Sequence, residues 1–461
     1  MSKRRRRKPQ LPTEPVRTTI SGMSHDGRGV AHVEGKTVFV EGALPGEEVT
    51  FTYVEKRSGV MVGAVQEVHR AAPERVEPRC AVFGICGGCS LQHMDADEQI
   101  KAKQVTLLEN FARIGKVTPM EVLPPLTGPH WGYRRKARMG VKDVAAKGRV
   151  LIGFREKRAP FIVNMLRCEV LHPSVGEHLE ELSELIGSLQ ASNRIPQIEI
   201  AVDDTQTALV LRNLEPLCAE DKEKLIAHAK AHNLCFFLQP GGPDSVEPLW
   251  PEQIQLSYAL PEFDVRFNFT PTGFTQVNTD INRKMVPYAI DMLEVKEDER
   301  VLDLFCGIGN FTLPLARRAK EVVGVEGLEI LVQRARENAE LNHIGNVEFH
   351  VADLAKEVEL LPWWSGRRDP SCHADLPSLH GHKGFDKVLL DPGRDGAMEA
   401  IPHIAKLGVK RIVYVSCNPA TLARDAGLLV HEHGYILEKA GVMDMFPHTA
   451  HVESIALFTK K

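Results

Sequence analysis

The sequence predicts a multi-domain chain: an N-terminal β-barrel of OB-like type, a central α+β domain built round a cysteine cluster, and a C-terminal α/β Rossmann-like domain. Three observations predict this. Short β-prone runs broken by Gly and Pro fill Val16–Val68. Three cysteines gather at Cys80, Cys86 and Cys89 with glycines between them. From Arg300 onward, apolar strand-like runs alternate with helix-like ones. A length of 461 residues is enough for several domains.

Residues 1–11 read as a basic disordered tail, in which Lys3–Lys8 is six consecutive cations. Such a run either solubilises the chain or touches RNA. The net charge of -4 does not by itself suggest a nucleic-acid partner. Over residues 12–70, GVAHV, KTVFVEG, EEVTFTYVEKR and VMVGAVQEV read as a small closed barrel of about five strands. No apolar run is long enough to span a membrane, and no apolar segment follows the basic N-terminus as in a secretory signal. A cytoplasmic monomer without membrane contact is expected. Nine cysteines, unevenly spaced, do not make a disulfide framework in a chain of this length, so metal or catalytic use is expected.

The central domain, residues 71–262, opens on RCAVFGICGGCSLQH, with the spacing C-x5-C-x2-C. Three thiolates leave a four-coordinate centre incomplete, and Cys168 is the candidate fourth ligand. The spacing suits an iron–sulfur cluster better than the paired C-x2-C of structural zinc, with zinc and free thiols as the alternatives. Asp95–Val117 reads as an amphipathic helix burying Ile100, Val105, Leu108, Phe111 and Ile114, and is expected to pack on the catalytic domain. Arg134, Arg135, Lys136 and Arg138, then Arg155, Lys157 and Arg158, read as two basic strands that would face RNA or solvent. Residues 175–260 alternate helix-like and strand-like runs and carry no functional signal.

The catalytic domain, residues 263–461, carries FTQVN and then VLDLFCGIGN, a strand followed by a Gly-rich turn and a helix over Phe311–Arg318. Thr312 stands where a nicotinamide-binding turn needs a third small residue, so Asp303 ahead of a bare G-x-G favours S-adenosylmethionine. Glu326 closes the next strand, placed for a ribose diol, and Asp353 the one after, placed for an adenine edge. A doubly wound parallel sheet follows from this alternation. Leu360–Phe385, with Trp363, Trp364, Pro370, Pro377, His373, His380 and His382, reads as a surface excursion with exposed aromatics and solvated histidines. Asp391 ends the fourth strand of this domain.

Ile412–Val415 reads as a buried strand, Ser416–Pro419 as a turn and Thr421–Val430 as a helix. Cys417 then lies at the carboxyl end of a parallel strand, where open α/β sheets bind ligands and where a helix N-terminus favours the thiolate. A small buried thiol without reactivity is the alternative. Glu453 opens the final strand. A methyl donor, a strand-end thiol and RNA-binding modules together suggest methylation of a base carbon. Uracil C5 becomes nucleophilic once a thiolate adds to C6, and a base must then take the C5 proton. Cys417 and Glu453 supply those groups, with Asp391 positioned beside them.

His25–Val49 resembles a TRAM domain, an RNA-binding module. With the four cysteines, FTQVN, DLFCGIGNF, GVE, DPGRDGA, SCNPATLARD and HTAHVE, nearly the whole chain resembles the bacterial 23S ribosomal RNA (uracil-5-)-methyltransferases of the TRAM-containing iron–sulfur type. The resemblance implies methylation of a uridine in 23S RNA, position 1939, with Cys417 as nucleophile and Glu453 as base. It implies that Gln276, Phe305, Asn310, Glu326, Asp353 and Asp391 bind S-adenosylmethionine. It also implies that Cys80, Cys86, Cys89 and Cys168 hold a [4Fe–4S] cluster. The rivals are a tRNA uracil-5-methyltransferase, whose simplest members lack barrel and cluster, and a non-catalytic RNA-binding assembly factor.

Overall fold

The computed structural model describes residues 11–57, 59–354, 356, 361, 364 and 384–460. The tail Lys3–Lys8 and Trp363, Pro370, His373, Pro377, His380 and His382 lie outside the described residues. Two compact units divide the chain. The first comprises Met1–Ala102, Phe154–Val163 and Phe446–His451, and the second Lys103–Gly153, Asn164–Met445 and Val452–Lys461.

In the first unit, β1 (Val16–Thr19), β2 (Gly22–Met23), β3 (Gly29–Val33), β4 (Lys36–Glu41), β5 (Glu48–Arg57) and β6 (Val60–Arg70) form one sheet ordered β1-β5-β6-β4-β3-β2. Alternation puts Val38 and Val40 of β4 inward, with Ala31, Val49 and Phe51. A Cβ at Gly63 would lie 2.2 Å from the Phe51 ring, so that ring occupies the space a side chain would need. The expected closed barrel is not found. The end strands β1 and β2 share no ladder, and β2, two residues long, already pairs with β3.

The second unit holds three sheets. β8 (Lys136–Val144), β9 (Arg149–Gly153), β10 (Gln197–Val202), β11 (Thr207–Arg212), β12 (Leu234–Gln239) and β13 (Glu247–Trp250) run in the order β13-β12-β11-β10-β8-β9. β14 (Leu256–Leu260) and β15 (Val265–Phe269) form a hairpin. The largest sheet comprises β7 (Glu121–Val122), β16 (Arg300–Leu304), β17 (Glu321–Glu326), β18 (Val347–Val351), β19 (Lys387–Leu390), β20 (Arg411–Ser416), β21 (Tyr435–Met443) and β22 (Glu453–Lys460). Its order is β18-β17-β16-β19-β20-β22-β21-β7. Five strands, β16 to β20, are parallel, and the apolar runs of all but the edge strand β18 are buried on both faces, as in Ile412–Val415. β22 enters between β20 and β21 antiparallel to both, so the sheet is mixed where the alternation predicted a parallel one.

Other expectations need correction. The helix read over Asp95–Val117 is Ala96–Asn110, followed by a π turn, Phe111–Gly115. Its buried stripe is Ile100, Lys103, Leu107 and Phe111, whereas Val105 and Ile114 are exposed. A buried Lys at the stripe's centre and the wider π winding hid this face from an apolar-spacing argument. The π turn packs on the helix Pro419–His431, where a Cβ at Gly427 would meet the Gly115 carbonyl at 2.9 Å.

The basic strands are not a free cationic surface. Arg138 pairs with Glu199 at 3.1 Å, and Lys136 donates to the Pro271 carbonyl. Arg135 donates to the Asp203 carbonyl, and Arg155, Lys157 and Arg158 follow the end of β9. Arg158 pairs with Glu41 at 2.7 Å. Trp364, expected exposed, is buried and meets His403 edge-on at 6.3 Å. Among the described residues, no helix is long and apolar enough to cross a membrane.

Candidate active site

The carboxyl ends of the parallel strands carry the predicted residues. After β16 the chain turns at Phe305, a non-glycine residue held at φ 64°. That left-handed conformation is disfavoured for a residue with a Cβ and persists only where the surroundings enforce it. The turn is tied to its neighbours: Cys306 donates its N–H to the Val325 carbonyl at 3.1 Å, and the Asp391 N–H to the Leu304 carbonyl at 3.3 Å. Glu326 fastens the turn from the next strand. One carboxylate oxygen accepts the Gly307 N–H at 3.1 Å, and the other accepts those of Gly327 and Leu328 at 2.8 and 3.2 Å. The Glu326 carbonyl accepts the Ala352 N–H at 3.1 Å, which brings exposed Asp353 to the neighbouring strand end.

Asn310 and Asn282 exchange amide hydrogen bonds at 3.1 and 3.0 Å, and Tyr258 donates its hydroxyl to Asn310 Oδ1 at 2.9 Å. A cavity lined by Gln276, Tyr258, Thr275, Thr279 and Asn282 lies beside this pair. Asn282 and Tyr258 are missing from the sequence reading. Asn282 follows FTQVN by one helical turn, since Asn278 caps the helix Thr279–Leu293 through its side chain at 3.2 Å. Tyr258 comes from a strand without a motif. Asp303 accepts from Thr312 Oγ1 at 2.5 Å through one oxygen. Its other oxygen is buried and has no hydrogen-bond partner among the described residues. Burial pushes this carboxyl up to about 8. An orphaned buried oxygen, a fastened Gly-rich turn and an amide-lined cavity fit a polar nucleoside-bearing cofactor.

Cys417 follows β20, and Glu453 begins β22. The β20–β22 register ends on the pair Ser416–Ser454, and Cys417 and Glu453 each lie one residue beyond that pair, with Glu453 paired to Met443 of β21. Ser454 Oγ donates to the Ser416 carbonyl at 3.1 Å, which locks that pair. Asn418 caps the helix Pro419–His431 through Ala420 at 3.1 Å and donates to the Arg394 carbonyl at 2.9 Å. The DPGRDGA loop is thereby tied to the cysteine turn. Buried Asp425, also absent from the sequence reading, holds the loop's other end. It accepts the Ala397 N–H at 2.8 Å and the Tyr414 hydroxyl at 2.7 Å.

The electrostatics differ from expectation. Burial pushes the Cys417 thiol up to about 11, with Glu453 and Asp391 adding to the rise and Arg394 opposing it. Burial, with the two carboxyl groups adding to it, thus outweighs the helix N-terminus and favours the thiol form. Burial raises Glu453 to about 8, helped by Asp391, and burial raises Asp391 itself to about 7. Glu453 is thus poised to exchange a proton near neutral pH.

In the first unit, Cys80, Cys86 and Cys89 lie on consecutive tight turns, with Phe83 donating to the Cys80 carbonyl at 3.0 Å and Cys86 to the Val82 carbonyl at 3.0 Å. The Gly88 N–H points at Cys86 Sγ, 3.4 Å away, and a Cβ on Gly87 would press on the Arg155 carbonyl at 3.0 Å. Among the described residues these thiols do not gather within 4.8 Å of one another. Cys168, in the second unit, is buried, and its N–H donates to the Gly176 carbonyl at 2.8 Å.

With this geometry in hand, comparison with known proteins places the chain. A tRNA (Uracil-5-)-methyltransferase family model matches residues 251–461, and a TRAM domain model matches residues 12–51. The 23S rRNA (uracil(1939)-C(5))-methyltransferase RlmD of Alkalilimnicola ehrlichii is 54% identical, covering 100% of this chain and 99% of its own length. The protein of that name from Methylococcus capsulatus is 53% identical over 100% of both chains. The Pyrococcus abyssi tRNA (uracil-54, C5)-methyltransferase, solved with S-adenosyl-L-homocysteine, has a TM-score of 0.71 at 24% identity. It covers 96% of this chain and 100% of its own, and shares the fold. The chain belongs to the family of 23S rRNA (uracil-C5)-methyltransferases and is an RNA uracil-5-methyltransferase.

Proposed function

We propose that the protein methylates C5 of one uridine in 23S ribosomal RNA, the position that its relatives' names give as 1939. The observation that carries this reading is that Cys417 and Glu453 flank the last β20–β22 pair, Ser416–Ser454, close enough for Glu453 and Asp391 to act on the thiol. S-adenosylmethionine supplies the methyl group when bound. Gln276, Phe305, Asn310, Glu326, Asp353 and Asp391 would hold it, Glu326 on the ribose and Asp353 at the adenine edge. The Cys417 thiol gives up its proton to water as its sulfur adds to C6, which makes C5 a nucleophile towards the methyl carbon. The Glu453 carboxylate then takes the C5 proton, the C6–S bond breaks and the thiolate returns. A buried base with a raised pKa suits that proton transfer.

A [4Fe–4S] cluster held by Cys80, Cys86, Cys89 and Cys168 is part of the proposal. The thiolate donors and the Gly88 N–H aimed at Cys86 Sγ support it. Four thiolates leave no iron open, so the role assigned is structural. The assigned domains are the tail 1–11, a TRAM domain 12–70, a central domain 71–262 and a catalytic domain 263–461. The protein is assigned as a monomer of the cytoplasm.

The test uses a 23S RNA fragment and a methyl-labelled cofactor. Glu453→Gln should trap a denaturation-resistant protein–RNA band carrying methyl label, and Cys417→Ala should give neither band nor product. Normal turnover by Glu453→Gln would exclude Glu453 as the base. Labelling of transfer RNA in place of the 23S fragment would move the substrate assignment.

A further inference from the structure

Two helices of the second unit bring their ends together far along the chain from the residues assigned to methyl transfer. His178 immediately precedes the helix Leu179–Gly187, Glu181 lies in its first turn, and His232 is the last residue of the helix Ala219–His232. Nδ1 of His178 stands 3.2 Å from both oxygens of Glu181, and Nδ1 of His232 stands 3.6 Å from one of them. One ligating atom from each residue fits within a mutual distance of 4.8 Å. A tetrahedral zinc ion with bonds near 2.0–2.1 Å separates neighbouring nitrogen and oxygen donors by about 3.3 Å. Two edges of that figure are therefore nearly formed.

A second observation points the same way. A cavity opens between the imidazoles of His178, His228 and His232 over an apolar floor of Leu182, Leu209 and Leu234. His228 stacks on His232 with centroids 4.1 Å apart, which steadies the His232 ring.

We propose that His178, Glu181 and His232 bind one divalent zinc-type transition-metal ion that staples these two helices, with water in the fourth place. Two imidazoles and a carboxylate from the protein are a common zinc donor set.

The test uses anaerobically purified holoprotein, stripped of loosely held metal by dialysis against chelator and given one equivalent of zinc. Zinc-edge X-ray absorption should show nitrogen and oxygen neighbours near 2.0 Å with imidazole scattering. Zinc should raise the melting temperature of wild type but not of His178→Ala/His232→Ala. Glu181→Gln, a milder change on an exposed side chain, should weaken zinc about tenfold or more. Undiminished zinc affinity in both variants, or a sulfur shell near 2.3 Å, would overturn the assignment.

Discussion

Lys103 and Asp444 form an ion pair 2.7 Å long with both side chains buried, 3% and 1% exposed. The pair joins the helix Ala96–Asn110 to the residue that follows β21. Burial lowers the lysine's pKa, and Asp444 opposes that fall. Removing one partner strands the other charge in a dry site. Lys103→Met and Asp444→Leu should each cost about 3–5 kcal/mol in denaturant unfolding, while the double variant should recover most of the loss. Additive losses in the double variant would mean the two charges are not coupled.

Asp425 and Gly396 give a second test. A Cβ at Gly396 would lie 2.6 Å from Asp425 Oδ2, and Gly396 has φ +78°, where a side chain is strained. Asp425→Ala leaves the Tyr414 hydroxyl and the Ala397 N–H without this acceptor. The expected loss is about 2–5 kcal/mol in chemical denaturation. Gly396→Ala should slow methyl transfer by displacing the loop that contains Arg394 and Asp395.

Glu453 makes stability depend on pH. Its carboxyl is raised from 4.5 to about 8 in the folded protein, so the native state binds more protons than the unfolded chain between those values. Its stabilising contribution is complete below pH 4.5 and is lost as pH rises through about 8. Glu453→Gln, which stays neutral, should gain melting temperature on wild type steadily from pH 5 to pH 9. Parallel melting curves across that range would contradict the raised carboxyl. Methyl transfer by wild type should climb as pH rises through about 8 if the Glu453 carboxylate is the base, as proposed.

Protein purified without air should be brown and carry about four irons and four sulfides per chain. Cys89→Ser should lose iron and solubility before it alters cofactor binding, because every residue proposed to bind the cofactor lies in the second unit. Stoichiometric zinc in a colourless wild-type protein would refute the cluster.

The parts legible in the sequence are those that a local pattern encodes. Apolar runs marked β16, β17, β19 and β20, and punctuated motifs marked Glu326, Asp391 and Cys417 at the ends of the last three. What stayed hidden depends on partners distant in the chain. Asn282 gains meaning only from Asn310, and Lys103 only from Asp444, 341 residues away. Helical spacing excluded Lys103 because it is polar, yet it lies at the centre of the buried stripe. The basic residues near Arg138 read as a surface because their acceptors, Glu199 and the carbonyls of Asp203 and Pro271, come from elsewhere. The thiol's raised pKa needed the same kind of knowledge, namely that Glu453 and Asp391 converge on it.

The rung Ser416–Ser454 has a consequence for how such an enzyme can diverge. Cys417 and Glu453, the proposed nucleophile and base, are spaced by the backbone of the sheet beside that rung, not by the loops between strands. Loops between the strands can lengthen, shorten or change composition over generations while the reacting groups keep their separation. A slip in the β20–β22 register, by contrast, would move Cys417 and Glu453 apart at once.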